Sequence, residues 1–516
     1  MDKKKESLTK NVGKISTGTF LSRISGLLRD ITITHFLGAT WVADSFGVAF
    51  VIPNMLRGLF GEGALSAAFI PLYIEFKEKK TKKETIQFAL NILSLVLIVL
   101  IILVLLGILL TPIIVRIIAP GFEAQARELT ISLTRVLFPY LLLIGLTSTS
   151  IAILNAHSIF FFPSFSPALF NLGIILPVVI HSIIFKSTLE QKVYIFTAGV
   201  LIGGLCQLLM NLPLLKKVGY RLKFYLNLKQ KEISQVWKRM IPGIIGLGIR
   251  EVNVVVDTLL ASFLVTGSVA ALQYGNRLMQ LPLGVFGIAV GTAALPLFSK
   301  QTATNKTDEL KASVQDALNL ILLIMIPITV LIIVIGKDAI ALVYLHGRFD
   351  QTALRMTYSA LVFYSLGLVS HSCVRIFAPT FFALKDTKTP VKIAVIAAIC
   401  NILLDLILIR FLQLRGLALA TSLAATIQGI FLYILINNRI GRLNFKALFI
   451  NTVKILIISC IIGWVAHFLS QVAIPWQLNE KLLLLIRLLI IICVSSLLYW
   501  AGLHLFNVKS KRLLRL

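Results

Sequence analysis

From Ile92 to Pro112 the chain passes without one ionisable side chain, and apolar stretches of similar length recur along nearly all of its sequence. Hydrocarbon offers no water to an exposed backbone N–H or C=O, so only helices and closed barrels cross it. About twenty apolar residues is the helical length that spans a layer roughly 30 Å thick. A barrel would instead show alternating strands of about ten residues, and no such alternation is visible. The composition agrees: of 516 residues 57% are hydrophobic and 14% charged, with a mean hydropathy of +0.91. The expected class is therefore an all-α polytopic membrane protein.

Apolar segments at residues 15–37, 42–74, 88–118, 129–156, 163–185, 190–215 and 234–263 make the first half of the expected bundle. Those at 268–299, 314–345, 353–383, 390–410, 416–437, 447–472 and 480–507 make the second. The expectation is thus about fourteen transmembrane helices. Lys and Arg concentrate at 1–14, 77–83, 216–239, 300–311, 385–392, 439–446 and 509–515, and the alternate loops hold few. The positive-inside bias assigns those seven stretches, and both termini, to the cytoplasm. The same positions account for the net charge of +28. Basic clusters between apolar spans face lipid headgroups, so nucleic acid is not an expected partner. The N-terminus carries no small-residue cleavage site after its first apolar stretch, and no signal peptide is expected to be removed.

The chain also repeats itself. Ala68-Phe69-Ile70-Pro71-Leu72-Tyr73 returns as Ala293-Ala294-Leu295-Pro296-Leu297-Phe298. An offset of roughly 225 residues spans six helices and preserves orientation, which predicts two parallel-repeat six-helix lobes about a central cavity. The expected organisation is an N-terminal lobe at 1–220, a C-terminal lobe at 221–440, and a C-terminal helix pair with its tail at 441–516.

Against this apolar background the charges stand out. Ser22-Arg23-Ile24-Ser25-Gly26-Leu27-Leu28-Arg29-Asp30 places three of them inside the first span. A charge at mid-bilayer costs roughly 2.5 to 3.5 kcal/mol on insertion scales, so such residues face a wet cavity or a partner. Seven residues are almost two helical turns, which points Arg23 and Asp30 the same way and Arg29 about 100° round. The bland alternative is an Arg–Asp pair that locks helices together. Asp44, Arg57 and Glu62 follow in the second segment, with Glu62 between Gly61 and Gly63 as a candidate gate. Arg277 lies in the eighth. Gly287 and Gly291 have the spacing of close helix packing. Asn401 and Asp405, one turn apart, share a face of the eleventh helix, and Asp257 sits in the seventh. With the hydroxyl of Thr421 they offer the all-oxygen environment a small hard cation prefers, proton binding being the simpler alternative. The five cysteines and seven histidines show no metal-ligand spacing. No nucleophile elbow, phosphate-cradling loop or HExxH occurs, and the loops are too short for a catalytic domain. An enzyme is not expected.

The string Ser22-Arg23-x-x-Gly26-x-x-Arg29-Asp30, followed by Asp44, Pro53-Asn54, Arg57 and Gly61-Glu62-Gly63-Ala64, resembles the MurJ (MviN) family of lipid II flippases in the multidrug/oligosaccharidyl-lipid/polysaccharide exporter superfamily. Tyr274-x-Asn276-Arg277-Leu278, Leu281-Pro282-x-Gly284, Ala378-Pro379 and Asp386-Thr387-x-Thr389-Pro390-Val391 are similar to later family motifs. The resemblance implies that Arg23, Arg29, Arg57 and Arg277, beside Asp30, hold the diphosphate of an undecaprenyl-linked muropeptide. Guanidinium forks suit that task, since they match phosphate oxygens bidentately and stay charged. It also implies a lipid-tail groove on the last two helices, and a sodium site at Asp257, Asn401, Asp405 and Thr421 with the Leu417 carbonyl. The expected activity is lipid II translocation from the inner to the outer leaflet of the bacterial cytoplasmic membrane by alternating access. The expected partners are that substrate and membrane lipids, the expected state a monomer, and the expected auxiliary ligand no cofactor beyond a coupling sodium ion or proton. Rival expectations are a flippase for another diphosphate-linked glycan, a multidrug exporter of the same superfamily, and a membrane glycosyltransferase. Organic cations would want acids and aromatics where this sequence places arginines.

Overall fold

A computed structural model of the chain describes residues 2–58, 64–220, 223–227, 231–472 and 479–506, and within them every regular element is helical. Packing groups the chain into two compact units, Met1–Val269 and Ala270–Leu516. In the first unit the helices are α1 (Asp2–Leu37), α2 (Trp41–Leu56), α3 (Ala64–Lys79), α4 (Lys82–Ile118), α5 (Ala124–Leu137), α6 (Tyr140–Ala156), α7 (Phe161–Ile184), α8 (Leu189–Lys217) and α9 (Lys231–Ala261). In the second they are α10 (Ser268–Pro282), which begins just before the division, α11 (Ile288–Ala303), α12 (Thr307–Tyr344), α13 (Gln351–Ser365), α14 (Leu368–Ala383), α15 (Lys388–Leu412), α16 (Leu414–Ile440), α17 (Phe445–Gln471) and α18 (Glu480–Leu505).

Four expected single helices are broken, each where the sequence weakens the ladder. In the segment at 42–74, α2 ends at Leu56 and the winding turns π-helical at Arg57 and Gly58; α3 begins at Ala64, beyond residues 59–63, which are not described. That at 129–156 breaks at Phe138-Pro139, because proline cannot donate the next backbone bond. That at 353–383 bends by 44° at Leu366-Gly367. After Pro282 a π-helical turn, Leu283–Gly287, joins α10 to α11. Ten helical segments among the described residues are long and apolar enough to cross a membrane, or eleven if α13 and α14 count as one span. The remaining three expected crossings are α1, α2 with α3, and α9. α1 carries Arg23, Arg29 and Asp30 and α9 carries Glu251 and Asp257, which make them more polar, whereas α2 is apolar but, like α3, only 16 residues long.

In the first unit α7 lies between α1 and α8, α2 packs on α5, and α9 packs on α3. The α7–α8 crossing is possible only without side chains: a Cβ on Gly173 would stand 2.3 Å from the Gly203 Cα. The second unit pairs α15 with α16, α12 with α17, and α11 with α14. The expected small-residue contact is found there, since a Cβ on Gly291 would lie 2.3 Å from the Arg375 carbonyl oxygen.

The described residues after α8, 218–220 and 223–227, are not helical, yet they are held. Tyr220 is buried, and its hydroxyl bonds that of Tyr73, which also bonds His157 Nε2 at 2.8 Å. Further on, the fully buried Asn91 of α4 donates to the Asn227 carbonyl and accepts from the Asn227 N–H, both at 2.9 Å. Ser94 accepts from the Tyr225 N–H at 3.0 Å. Side chains of α4 thus satisfy backbone groups that the non-helical residues 223–227 would otherwise leave to water.

Candidate functional site in the first unit

The three charges of the first helix do not act as equals. Arg23 is exposed, Arg29 half-buried and Asp30 buried. Arg29 donates from Nε at 3.1 Å and from Nη2 at 2.9 Å to Asp30 Oδ1. Its Nη1 donates at 3.1 Å to Oδ1 of Asn171, on α7. The Asn171 amide donates in turn to Ser25 Oγ at 2.9 Å and to the Ser22 carbonyl at 3.3 Å. Adjacent residues on a helix do not face each other, so the Arg29–Asp30 pair depends on the reach of the arginine stem. A guanidinium clasped by a carboxylate and an amide has its plane fixed.

Arg57 sits where α2 gives way to π-helical geometry, and its Nε donates to Asn54 Oδ1 at 3.0 Å. Pro53, one turn earlier, has no N–H for the ladder, which permits the change of winding. Beside it, a Cβ on Gly58 would stand 3.4 Å from Oε1 of Glu251 on α9. A carboxylate thus approaches the end of α2 that carries Arg57. Gly61, Glu62 and Gly63, the rest of the candidate gate, lie outside the described residues.

Asp44, its first member, is buried at 4% exposure in the first turn of α2, whose N-cap is Thr40. The Gly267 N–H donates to Asp44 Oδ2 at 2.5 Å, a charge-assisted bond to the loop that follows α9. Gly267 takes a φ of +89°, a region that favours glycine. A cleft of about 200 Å³ opens here, lined by Trp41, Asp44, Glu123, Gln125, Ser262 and Thr266 among others. Asp257 is half-buried on α9.

The remaining predicted residues belong to the second unit. Arg277 is half-buried on α10, one residue past Asn276, whose Oδ1 accepts from Gln280 Nε2 at 2.6 Å. Asn401 and Asp405 are buried on α15, at 2% and 0% exposure. The Thr421 hydroxyl donates to the Leu417 carbonyl at 3.1 Å. α15 and α16 form a tight hairpin about Gln413, and Asp405 and Thr421 stand at equal separation from that corner, about 12 Å along each helix. The hairpin therefore puts these two oxygen-bearing residues at one level.

Sequence inspection missed Asn171, Asn54 and Glu251 as neighbours of the arginines. It also passed over Arg375, an exposed cation within the bent pair α13–α14. Arg375 had a signal, being a charge inside an apolar segment like the others. Asn171 had none, because asparagines recur in several of these helices and only the α1–α7 contact singles this one out.

A family model described as "Lipid II flippase MurJ" matches residues 33–487. A protein of Buchnera aphidicola subsp. Schizaphis graminum named "Probable lipid II flippase MurJ" is 31% identical over 506 residues, 98% of each chain. A Burkholderia cenocepacia protein named "Lipid II flippase MurJ" is 31% identical over 431 residues, 82% of this chain and 83% of its own. Among solved structures, "Lipid II flippase MurJ, inward closed conformation" superposes with a TM-score of 0.81 at 28% identity, over 97% of this chain and 99% of that one. An inward-facing MATE transporter of the MOP superfamily shares the fold, with a TM-score of 0.66 at 14% identity over 84% and 98%.

Proposed function

Because the chain belongs to the MurJ lipid II flippase family, we propose that it carries lipid II, the undecaprenyl-diphosphate-linked muropeptide, from the inner to the outer leaflet of the bacterial cytoplasmic membrane by alternating access. It is a multi-pass helical membrane protein of transporter fold. In this reading it crosses about fourteen times, keeps both termini in the cytoplasm, works as a monomer in two six-helix lobes, and holds the lipid tail on α17 and α18. The substrate leaves chemically unchanged.

The observation that carries the reading, beyond kinship, is the clasped guanidinium of Arg29. An arginine inside a span is costly, and neutralisation by Asp30 alone would suffice for a structural tie. Here the cation is also oriented from a second helix, which suits a planar fork that must meet phosphate oxygens. Arg23, Arg29 and Arg57 of the first unit and Arg277 of the second are the proposed diphosphate ligands, with Asp30 orienting Arg29. Asp44 with Gly61, Glu62 and Gly63 forms the proposed gate; the bond from the Gly267 N–H supports Asp44 as a latch. Asp257, Asn401, Asp405, the Leu417 carbonyl and Thr421 are the proposed ligands of a coupling sodium ion, with protons as the alternative. Their donor set is two carboxylates, an amide, a carbonyl and a hydroxyl, all oxygen, as a hard cation requires.

The test is replacement. Bacteria depleted of their own lipid II flippase and supplied with this chain should resume outward movement of the undecaprenyl-linked precursor, read by its accessibility to an external enzyme. A membrane-inserted chain that leaves the precursor inside defeats the proposal. Rescue of a different diphosphate-linked glycan would redirect it to that substrate.

A further inference from the structure

We propose that Asn171 is the positioning residue of the substrate site: it fixes the plane of the Arg29 guanidinium, and the serine pair of α1 fixes Asn171 in its turn. The inference rests on the reading of Arg29 as a diphosphate ligand.

Asn171 is buried at 4% exposure, so its amide has to be satisfied by protein groups. Its orientation is determined by those groups alone. The Ser25 hydroxyl donates to the Ser22 carbonyl at 2.9 Å, which commits its hydrogen and leaves its oxygen as an acceptor. The Ser22 carbonyl only accepts. The face of the amide toward Ser22 and Ser25 must therefore be its NH₂, which bonds both. Oδ1 is left pointing at Arg29 Nη1, and a flipped amide would set two donors against each other. The order of control runs from Ser22 and Ser25 to Asn171, and from Asn171 to Arg29.

The packing leaves room for this relay. α1 and α7 approach closely at Gly18, where a Cβ would stand 2.8 Å from the Ser164 Cβ. Two turns further on the helices stand far enough apart for the amide, and a Cβ on Gly26 would meet Asn171 Nδ2 at 3.5 Å, an ordinary contact. Charge explains the choice of an amide over an acid. Asp30 already balances Arg29, and a second carboxylate about 3 Å away would make the cluster net negative and repel a diphosphate. An amide orients the cation without cancelling it.

The experiment is a double-substitution cycle on the purified full-length chain, with undecaprenyl diphosphate as the probe and thermal unfolding recorded on every sample. Asn171→Ala should weaken binding roughly three- to tenfold in the parent but change it little in Arg29→Lys, where there is no guanidinium plane to hold. Asn171→Asp should weaken binding more than Asn171→Ala. Equal losses in the parent and Arg29→Lys backgrounds would mean that Asn171 only packs α7 on α1, and would overturn the inference. If Asn171→Ala does not fold, Ser25→Ala takes its place in the same cycle, since it loosens the amide while keeping its contact with Arg29. Should Arg29→Ala bind the probe as well as the parent, the reading of Arg29 as a ligand fails; if it binds poorly while Asn171→Ala binds normally, only the positioning role fails.

Discussion

Arg29 is tied to Asp30 and Asn171, so its replacement disturbs two helices at once. Arg29→Ala should reduce transport by roughly 10- to 100-fold, from the loss of a charge-assisted contact of about 1.5 to 3 kcal/mol. Arg29→Lys should restore part of it, because lysine keeps the charge and loses the fork. Full transport by a folded, inserted Arg29→Ala protein would remove this residue from the site. His157 offers a test by pH. Burial, then the nearby charges of Lys77 and Lys82, hold its imidazole below the ordinary histidine range. The folded protein resists protonating it, whereas the unfolded chain takes the proton near pH 6.5. Stability from this group is thus complete above about pH 6.5 and declines as pH falls toward the lowered value. His157→Gln should flatten that decline in thermal unfolding measured across pH 5 to 7, and an unchanged slope would exclude His157 as its source. That charges inside the first span would matter was legible in the sequence. Their partners were not, because Asn171 is 142 residues from Arg29 and no local pattern joins the two.

Helices were legible from the apolar runs, and most of their limits follow, since length and hydropathy decide membrane crossing. The breaks at Phe138-Pro139 and Leu366-Gly367 were less so. Apolar character continues through both, so hydropathy reads each as one span, and only the backbone ladder registers the interruption. Glycines divide in the same way: the sequence shows where they are and the packing decides which are needed. Gly173→Ala drives a methyl group into the Gly203 backbone and should lower the thermal midpoint. Gly429 sits in the interior of α16 with the nearest atom 3.9 Å from an added Cβ. Gly429→Ala should therefore leave the midpoint unchanged or raise it, by up to about 1 kcal/mol of helix preference. The opposite order of these two variants would contradict the α7–α8 crossing described above.

For the whole molecule, the distribution of Lys and Arg predicts sidedness. Asn227 and Thr266 are both exposed, before and after α9. With the native cysteines replaced, Asn227→Cys should react with an impermeant thiol reagent only from the cytoplasm and Thr266→Cys only from outside. Labelling from one side would break the topology. The proposed cation site makes a second prediction at this scale. Sodium at about a hundred times its dissociation constant should stabilise the protein by about 2.7 kcal/mol over a larger monovalent cation at equal ionic strength. Asp405→Ala should abolish the difference; a response to pH alone would assign the site to protons. The link between α4 and the segment after α8 bears on how the protein is made. Asn91 leaves the ribosome 136 residues ahead of the backbone it will hold. For that interval its amide must lean on water or on insertion machinery, and the first unit cannot close however well its earlier helices have paired. Nascent chains stalled before residue 220 should expose the start of α4 to protease, and chains stalled after α9 has emerged should protect it. One lock on the amino-terminal unit is thus a short non-helical piece of backbone, made after the eight helices that precede it and before α9 and Gly267 add the contacts that complete the unit.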